Sequence, residues 1–263
     1  MPATEWVLVT GAASGIGEQL CRLFGRDGAN LVLVDKNRSG LEKTAALLCG
    51  EFGIQTVCLA FDLSEQSAPQ QIFREVQSRG IEVSVLVNNA GFGTFGRFWE
   101  TDVARDQALI NVNIMAPMLL TKLFLPPMVA RKRGQVLNVG SVSGFLASPY
   151  ASTYYSSKAW LLSFSQGVAT SLRGTGVTVT VVCPGPTYTA FDWHSTGQGE
   201  APPARKRFQM EASEVAAQAY RGLRRGQMVV IPGASNQALA LLAKLLPRKL
   251  ALRLLTLGQR KAN

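Results

Sequence analysis

Tyr154-Tyr155-Ser156-Ser157-Lys158 sets a phenol and an amine four residues apart. On a helix, positions i and i+4 share a face, so Tyr154 and Lys158 can point into one space. A phenol titrates near about 10. A neighbouring ammonium favours its anion, which turns the pair into an acid/base usable near neutral pH. Tyr155, three residues from Lys158, is the competing phenol. A second constellation lies near the other end of the chain. An apolar run ends at Thr10, and Gly11-Ala12-Ala13-Ser14-Gly15-Ile16-Gly17 follows, spaced G-x-x-x-G-x-G rather than G-x-G-x-x-G. Glycines permit a tight turn and close backbone approach, and a helix opening there turns free N–H groups and its dipole toward a pyrophosphate. Asp35 follows Gly17 by eighteen residues. A carboxylate at the end of a second strand accepts hydrogen bonds from both ribose hydroxyls and repels a 2′-phosphate, favouring NAD over NADP. Ser14 adds no positive charge to the loop. Lys36 and Arg38 lie close enough in sequence to swing toward a phosphate, which keeps NADP open. An oxidised nicotinamide ring beside Tyr154 would favour its anion further.

Such groups need a scaffold that brings residues 10–17, 35 and 154–158 together. Short apolar runs at Trp6–Thr10, Leu31–Asp35, Thr56–Ala60, Val83–Val87, Gln135–Val139 and Val177–Val182 read as strands. Most are continuously apolar, as strands covered on both faces are. Helical patterns fill about 15–27, 40–52, 65–79, 104–132, 153–173 and 213–225, and Met228–Ile231 adds a further strand. Ser39 and Ser64 are candidate N-caps, and Gly53 and Gly80 candidate C′ residues. This alternation predicts an α/β fold: one doubly wound, Rossmann-type domain with a parallel sheet of about seven strands and helices on both faces. That domain covers residues 1–235, with a substrate loop at about 186–212, and 236–263 form a basic, amphipathic helical extension.

The ordered set Thr10-Gly11-x-x-x-Gly15-x-Gly17, Asp62-Leu63, Asn88-Asn89-Ala90-Gly91, Ser141, Tyr154-x-x-x-Lys158 and Pro184-Gly185 closely resembles the short-chain dehydrogenase/reductase family over residues 5–192. The resemblance implies roles. Tyr154 would be the general acid/base at a carbonyl or alcohol oxygen. Lys158 would hold the nicotinamide ribose and depress the tyrosine's pKa. Ser141, thirteen residues before Tyr154, would hydrogen-bond the substrate oxygen. Asn113 resembles the family's helix asparagine, which holds a water in a proton relay with Lys158; Asn111 fits less well, because Thr121 stands eight residues after Asn113. Asp62 and Leu63 resemble the pair at the adenine ring. Asn88 through Gly91 resemble the turn that supports the adenosine ribose and the sheet. Pro184, Gly185 and Thr189 resemble the segment that meets the nicotinamide carboxamide, and Ile16 belongs to the glycine loop. Gly140 departs from the pattern, standing where many relatives carry a second serine, a change expected to alter packing more than chemistry. The implied activity is hydride transfer between a nicotinamide cofactor and a small-molecule alcohol or carbonyl, without a metal.

Composition narrows the alternatives. With 47% hydrophobic and 17% charged residues in 263, a disordered chain is excluded. No run of about 20 consecutive apolar residues predicts a transmembrane helix, and Met1–Glu5 show no basic leader. Cys21, Cys49, Cys58 and Cys183 lack C-x-x-C or zinc spacing and read as reduced thiols of a cytoplasmic protein. His194 is the lone histidine, and Val142 sits where a nucleophile elbow centred in Gly140–Gly144 would need its serine. A serine hydrolase is therefore set aside. A dinucleotide-binding sensor without turnover is the alternative, but it has no chemical need for Asn113, Ser141, Tyr154 and Lys158 together.

The net charge of +10 is concentrated: residues 1–199 carry 15 Lys/Arg and 14 Asp/Glu, residues 200–263 carry 12 and 3. From Asn236 onward, leucine-rich stretches place Gln237, Lys244 and Arg248 on one face and Lys249, Arg253, Thr256 and Arg260 on another, with Pro247 opening a second helix. The Val-Val-Ile-Pro-Gly and Leu-Leu-Pro-Arg runs loosely resemble a broad subgroup of bacterial-type reductases. The leucine face is expected to pack on a partner subunit of a homodimer or homotetramer, or to cover the substrate cleft, with the cations solvated. Peripheral contact with an anionic membrane is the next reading, and nucleic acid the least favoured. Phe92, Phe95, Phe98, Trp99, Phe145, Tyr150, Phe191 and Trp193 flank the motifs and suggest an apolar, bulky substrate.

Overall fold

The computed structural model describes residues 5–189, 208–246 and Leu252. Strands β1 (Trp6–Thr10), β2 (Asn30–Asp35), β3 (Thr56–Ala60), β4 (Val83–Asn88), β5 (Gly134–Val139), β6 (Val177–Val182) and the short β9 (Val229–Val230) form one sheet. Their order is β3-β2-β1-β4-β5-β6-β9, and all pairs are parallel. A separate two-stranded ribbon joins β7 (Thr187–Tyr188) to β8 (Met210–Glu211). The helices are α1 (Gly15–Arg26), α2 (Arg38–Phe52), α3 (Ala68–Ser78), α4 (Val103–Ile110), α5 (Ala116–Ala130), α6 (Ser152–Ser171), α7 (Ala212–Arg224) and α8 (Ala234–Leu245).

The continuous apolar strands find their reason in two cores. Val7 and Val9 of β1, with Leu31, Leu33, Val85 and Val87, pack under Leu20, Phe24, Leu41 and Leu48 of α1 and α2 and under Ala216, Ala219 and Leu223 of α7. Leu8, Val32, Val34, Leu86 and Val136 face the other way, against Ile72 and Val76 of α3 and Leu120, Phe124 and Met128 of α5. Successive side chains of a strand point to opposite faces, so every position must be apolar when both faces are covered. Truncating one such fully buried leucine costs about 2–5 kcal/mol.

The Asn37 side chain, not Ser39, caps α2 by accepting from Gly40 N–H. Ser64 does not cap α3, which begins at Ala68; its N–H is held instead by the Asp62 carboxylate at 2.8 Å. Gly53 and Gly80 end their helices in the left-handed region, at φ +65° each. The stretch Val103–Ala130 is long and apolar enough to cross a membrane, yet Leu109, Leu120, Phe124 and Met128 are buried inside the fold. Its middle, Asn111–Met115, widens into a π-helical turn, a local defect that helices often place at functional sites. The order of strand addition reverses between β1 and β4, so the crevice at their C-terminal ends is where an open parallel sheet binds a ligand.

Candidate active site

Thr10 ends β1 and organises that crevice. Its hydroxyl donates to Val87 O (3.3 Å) and accepts from the N–H groups of Asn89 and Ala90 (3.0 Å each). Asn89 Nδ2 reaches back to Thr10 O (2.9 Å) and Gly11 O (3.1 Å), clamping the glycine loop to the end of β4. Each glycine of the loop is demanded by space or by backbone conformation. A Cβ at Gly17 would run into the carbonyl oxygen of Gly11, and Gly11 and Gly15 adopt φ +66° and +58°. Ser14 precedes α1 without a side-chain capping bond, so the first-turn N–H groups of that helix remain donors. Thr189 lies against the loop: a Cβ on Gly15 would sit 3.2 Å from its Cγ2. Ile16 packs against the core below.

Asp35 closes this end of the site. Its Oδ2 accepts from Ala13 N–H (3.2 Å) and its Oδ1 from Asn37 N–H (3.0 Å), fixing a negative charge beside the glycine loop. Asp62 is exposed, whereas Leu63 is buried in the core. Asn88 is also buried: its Nδ2 donates to Thr121 Oγ1 (3.2 Å) and Asn138 Oδ1 (2.9 Å). It ties β4 to β5 and α5, which is the sheet-supporting part of the role expected of it.

At the other end, Tyr154 and Lys158 lie one turn apart on α6, both buried, with Lys158 Nζ 5.9 Å from the Tyr154 ring centroid. Tyr155 packs edge-on against Tyr154, centroids 6.0 Å apart. Lys158 Nζ donates to Val139 O at 2.9 Å. Burial pushes its pKa down to about 8. Ser141 caps a 3-10 turn, Val142–Phe145; its Oγ accepts from Ser143 N–H at 3.1 Å and keeps its own proton to give. Cys183 lies behind it, a thiol pushed up to about 12 by burial and therefore inert. Gly140 meets this layer closely, since a Cβ there would lie 3.1 Å from Val182 O and 3.3 Å from Cys183 Sγ.

The π-helical turn separates the two candidate asparagines. Asn111 Nδ2 points away, to Ser64 O (2.8 Å). Asn113 points inward: its Nδ2 donates to Phe92 O (3.0 Å) and Ser157 Oγ (3.1 Å), and its Oδ1 accepts from Phe92 N–H (3.2 Å). Gly91 stands between Asn113 and Lys158. A Cβ there would lie 3.1 Å from Asn113 Oδ1 and 3.4 Å from Lys158 Nζ.

Three features border the site: the aromatics Phe95, Phe98 and Trp99, which the sequence already marks, and Asn236 and Lys244, whose inward contacts had no signal in it. Phe95, half exposed, lies with its ring 6.5 Å from that of Tyr154, and Phe98 and Trp99 beyond it are also exposed. Asn236 of α8 is wedged against Gly185, where a Cβ would collide with its amide, and donates from Nδ2 to Pro232 O at 2.7 Å. Lys244 of the same helix holds its Nζ 5.3 Å from the Phe145 ring centroid. Helix α8 thus packs on the site through Asn236 and Ala240, with Lys244 reaching Phe145 from an exposed position, and turns its leucines outward rather than over the cleft, as the partner-subunit and membrane readings require. Phe191, Trp193 and His194, most of the substrate loop, and the second C-terminal helix with Arg248, Lys249, Arg253, Thr256 and Arg260 lie outside the described residues.

A model of short chain dehydrogenases matches residues 5–198. The chain is 32% identical to estradiol 17-beta-dehydrogenase 11 of Macaca fascicularis over 265 aligned residues, covering 99% of this chain and 84% of that one. Ketoacyl reductase HetN of Nostoc sp. is 34% identical over 179 residues, 68% of this chain, and the match spans only 62% of that relative's length. A short-chain dehydrogenase from Sphingobium yanoikuyae, solved in complex with NADPH, is 30% identical with a TM-score of 0.81 over 90% of this chain and 92% of that one. By sequence, sheet order and the arrangement of its crevice, the chain belongs to the short-chain dehydrogenase/reductase family of oxidoreductases.

Proposed function

We propose that the protein is a nicotinamide-dependent dehydrogenase or reductase acting on an apolar secondary alcohol or ketone, with Tyr154 as general acid/base. The pairing of buried Tyr154 and Lys158 beside the crevice that the glycine loop opens, with the Lys158 ammonium held on Val139 two residues before Ser141, carries this reading.

The residues fit a dinucleotide. Gly11, Gly15 and Gly17 make a cradle that side chains would fill, the uncapped N-terminus of α1 would hold the pyrophosphate, and Asp35 would receive the ribose hydroxyls. Its fixed charge favours NAD, because a 2′-phosphate there would face a carboxylate. When bound, the nicotinamide supplies or accepts the hydride. Ser141 donates a hydrogen bond to the substrate oxygen, and Tyr154 gives that oxygen a proton in reduction or takes one in oxidation. Lys158 holds positive charge near the phenol and favours its anion. Asn113 holds Phe92 and Ser157, and the gap left by Gly91 gives a relay water room between Asn113 and Lys158. The exposed aromatic lip of Phe95, Phe98 and Trp99 favours a bulky apolar substrate.

Self-association as a homodimer or homotetramer accounts for the exposed apolar Val103, Ile110 and Met115 along α4 and the turn after it. Coenzyme-dependent absorbance across a panel of bulky ketones and alcohols tests the activity, with Tyr154→Phe as control. The variant is expected to lose kcat by about 10²-fold or more while binding coenzyme normally. Near-normal turnover in it would move the role elsewhere.

A further inference from the structure

Helix α8 is amphipathic in the inverted sense. Asn236, Ala240 and Lys244 recur every fourth residue and face the protein, against Gly185 and the Val142–Phe145 turn. The opposite side carries Leu239, Leu241, Leu242 and Leu245, from 39% exposed at Leu239 to 72% at Leu245. Isolated exposed leucines are ordinary, but four within seven positions on one helix side form a patch that calls for an apolar partner.

Charge selects among partners. No Asp or Glu follows Glu214, while nine Lys and Arg do. Two copies meeting through this cationic part of the chain would set like charge against like charge and be repelled. An anionic bilayer satisfies both properties, since leucines enter the boundary of its hydrocarbon and cations meet its phosphates. The helix that carries the patch borders the site: its inner side rests on Gly185 through Asn236 and on the Val142–Phe145 turn through Lys244. We propose that the outer leucine side of α8 docks on an anionic phospholipid surface and sets the mouth of the site against it, so that an apolar substrate enters from the lipid. Only the entry step rests on the hydride-transfer reading; the docking does not.

The test is flotation of the full-length protein with vesicles of phosphatidylcholine alone or of phosphatidylcholine mixed with phosphatidylserine. The wild type is expected to float with the mixed vesicles and to be released by salt. Leu242→Glu/Leu245→Glu is expected to float at least about tenfold less. Leu242→Ser/Leu245→Ser is expected to give an intermediate loss, and coenzyme binding by both variants checks their fold. Turnover of a water-soluble ketone without vesicles is expected to be unchanged in both. Equal recovery of the wild type in the soluble fraction with either vesicle overturns the proposal. So does flotation that the two variants leave unchanged, or a smaller oligomer in the variants when the wild type does not float. Flotation as expected from a protein that turns over no ketone would sink the hydride-transfer reading and leave the docking surface standing.

Discussion

Replacing Lys158 with Met separates what this residue does for catalysis from what it does to stability. The side chain is 4% exposed, and its ammonium donates to the Val139 carbonyl at 2.9 Å. Among the described residues no carboxylate forms an ion pair with it. Burial therefore lowers its pKa from 10.5 to about 8. The folded-state pKa lies below the unfolded one, so between those values the unfolded chain binds the extra proton and stability rises with pH. Below pH 8 both states are protonated and the cost of the buried charge is fully present; it is relieved as pH climbs toward 10.5. At about 1.36 kcal/mol per unit, the gain between pH 7 and pH 10 is about 2.5 kcal/mol.

Lys158→Met keeps the length of the side chain and removes the titration. Every other group titrates in both proteins, so the difference between their pH profiles isolates Lys158. Urea unfolding without coenzyme is the assay, because bound coenzyme would add its own stabilisation to the wild type. The wild type is expected to gain about 2.5 kcal/mol more than the variant from pH 7 to pH 10, and the variant to have lost turnover at both. Profiles parallel to within about 0.5 kcal/mol would refute the claim that an unpaired, desolvated ammonium is held in the site at neutral pH.

Asp35→Ala removes the charge fixed by Ala13 and Asn37; the ratio of kcat/KM with NADP to that with NAD is expected to rise at least about tenfold. Gly91→Ala puts a methyl 3.1 Å from Asn113 Oδ1 and 3.4 Å from Lys158 Nζ; kcat is expected to fall about tenfold with KM for coenzyme little changed, as steady-state kinetics would show. Asn88→Ala leaves Asn138 Oδ1 and Thr121 Oγ1 without their shared donor. It is expected to cost about 1–3 kcal/mol in denaturant unfolding while leaving coenzyme affinity near normal.

The strands and helices could be read from the sequence because a doubly covered sheet imposes apolar residues at every strand position, and helices such as α3 and α7 show a clear 3.6-residue stripe. Tyr154 and Lys158 were legible for a similar reason, because a spacing of four on a helix fixes which side chains meet without knowledge of the rest of the fold. Local signals failed where a longer-range partner decided. Ser39 and Ser64 have the right chemistry for caps, but Asn37 reaches Gly40 first and Asp62 takes the Ser64 N–H. Asn111 and Asn113 differ by two positions, and a widened helical turn, silent in the sequence, decides which faces the site.

The C-terminal helix shows most plainly what a sequence pattern leaves undetermined. A helical wheel separates leucines from polar residues, but it does not say which side the protein keeps. Here the polar side stays, because Asn236 finds the Pro232 carbonyl and the gap at Gly185, and Lys244 finds the face of Phe145. The buried Asn236 amide finds its partner there with Ala240 beside it, Lys244 reaches Phe145 from an exposed position, and the four leucines are left for another surface to cover. The same choice that completes the wall of the site therefore exposes the apolar side. If that reasoning holds, Asn236→Leu should loosen α8 and disturb turnover and vesicle flotation together. Leu242→Glu/Leu245→Glu should disturb flotation alone, and loss of turnover in that variant too would show that the outer side also supports the site.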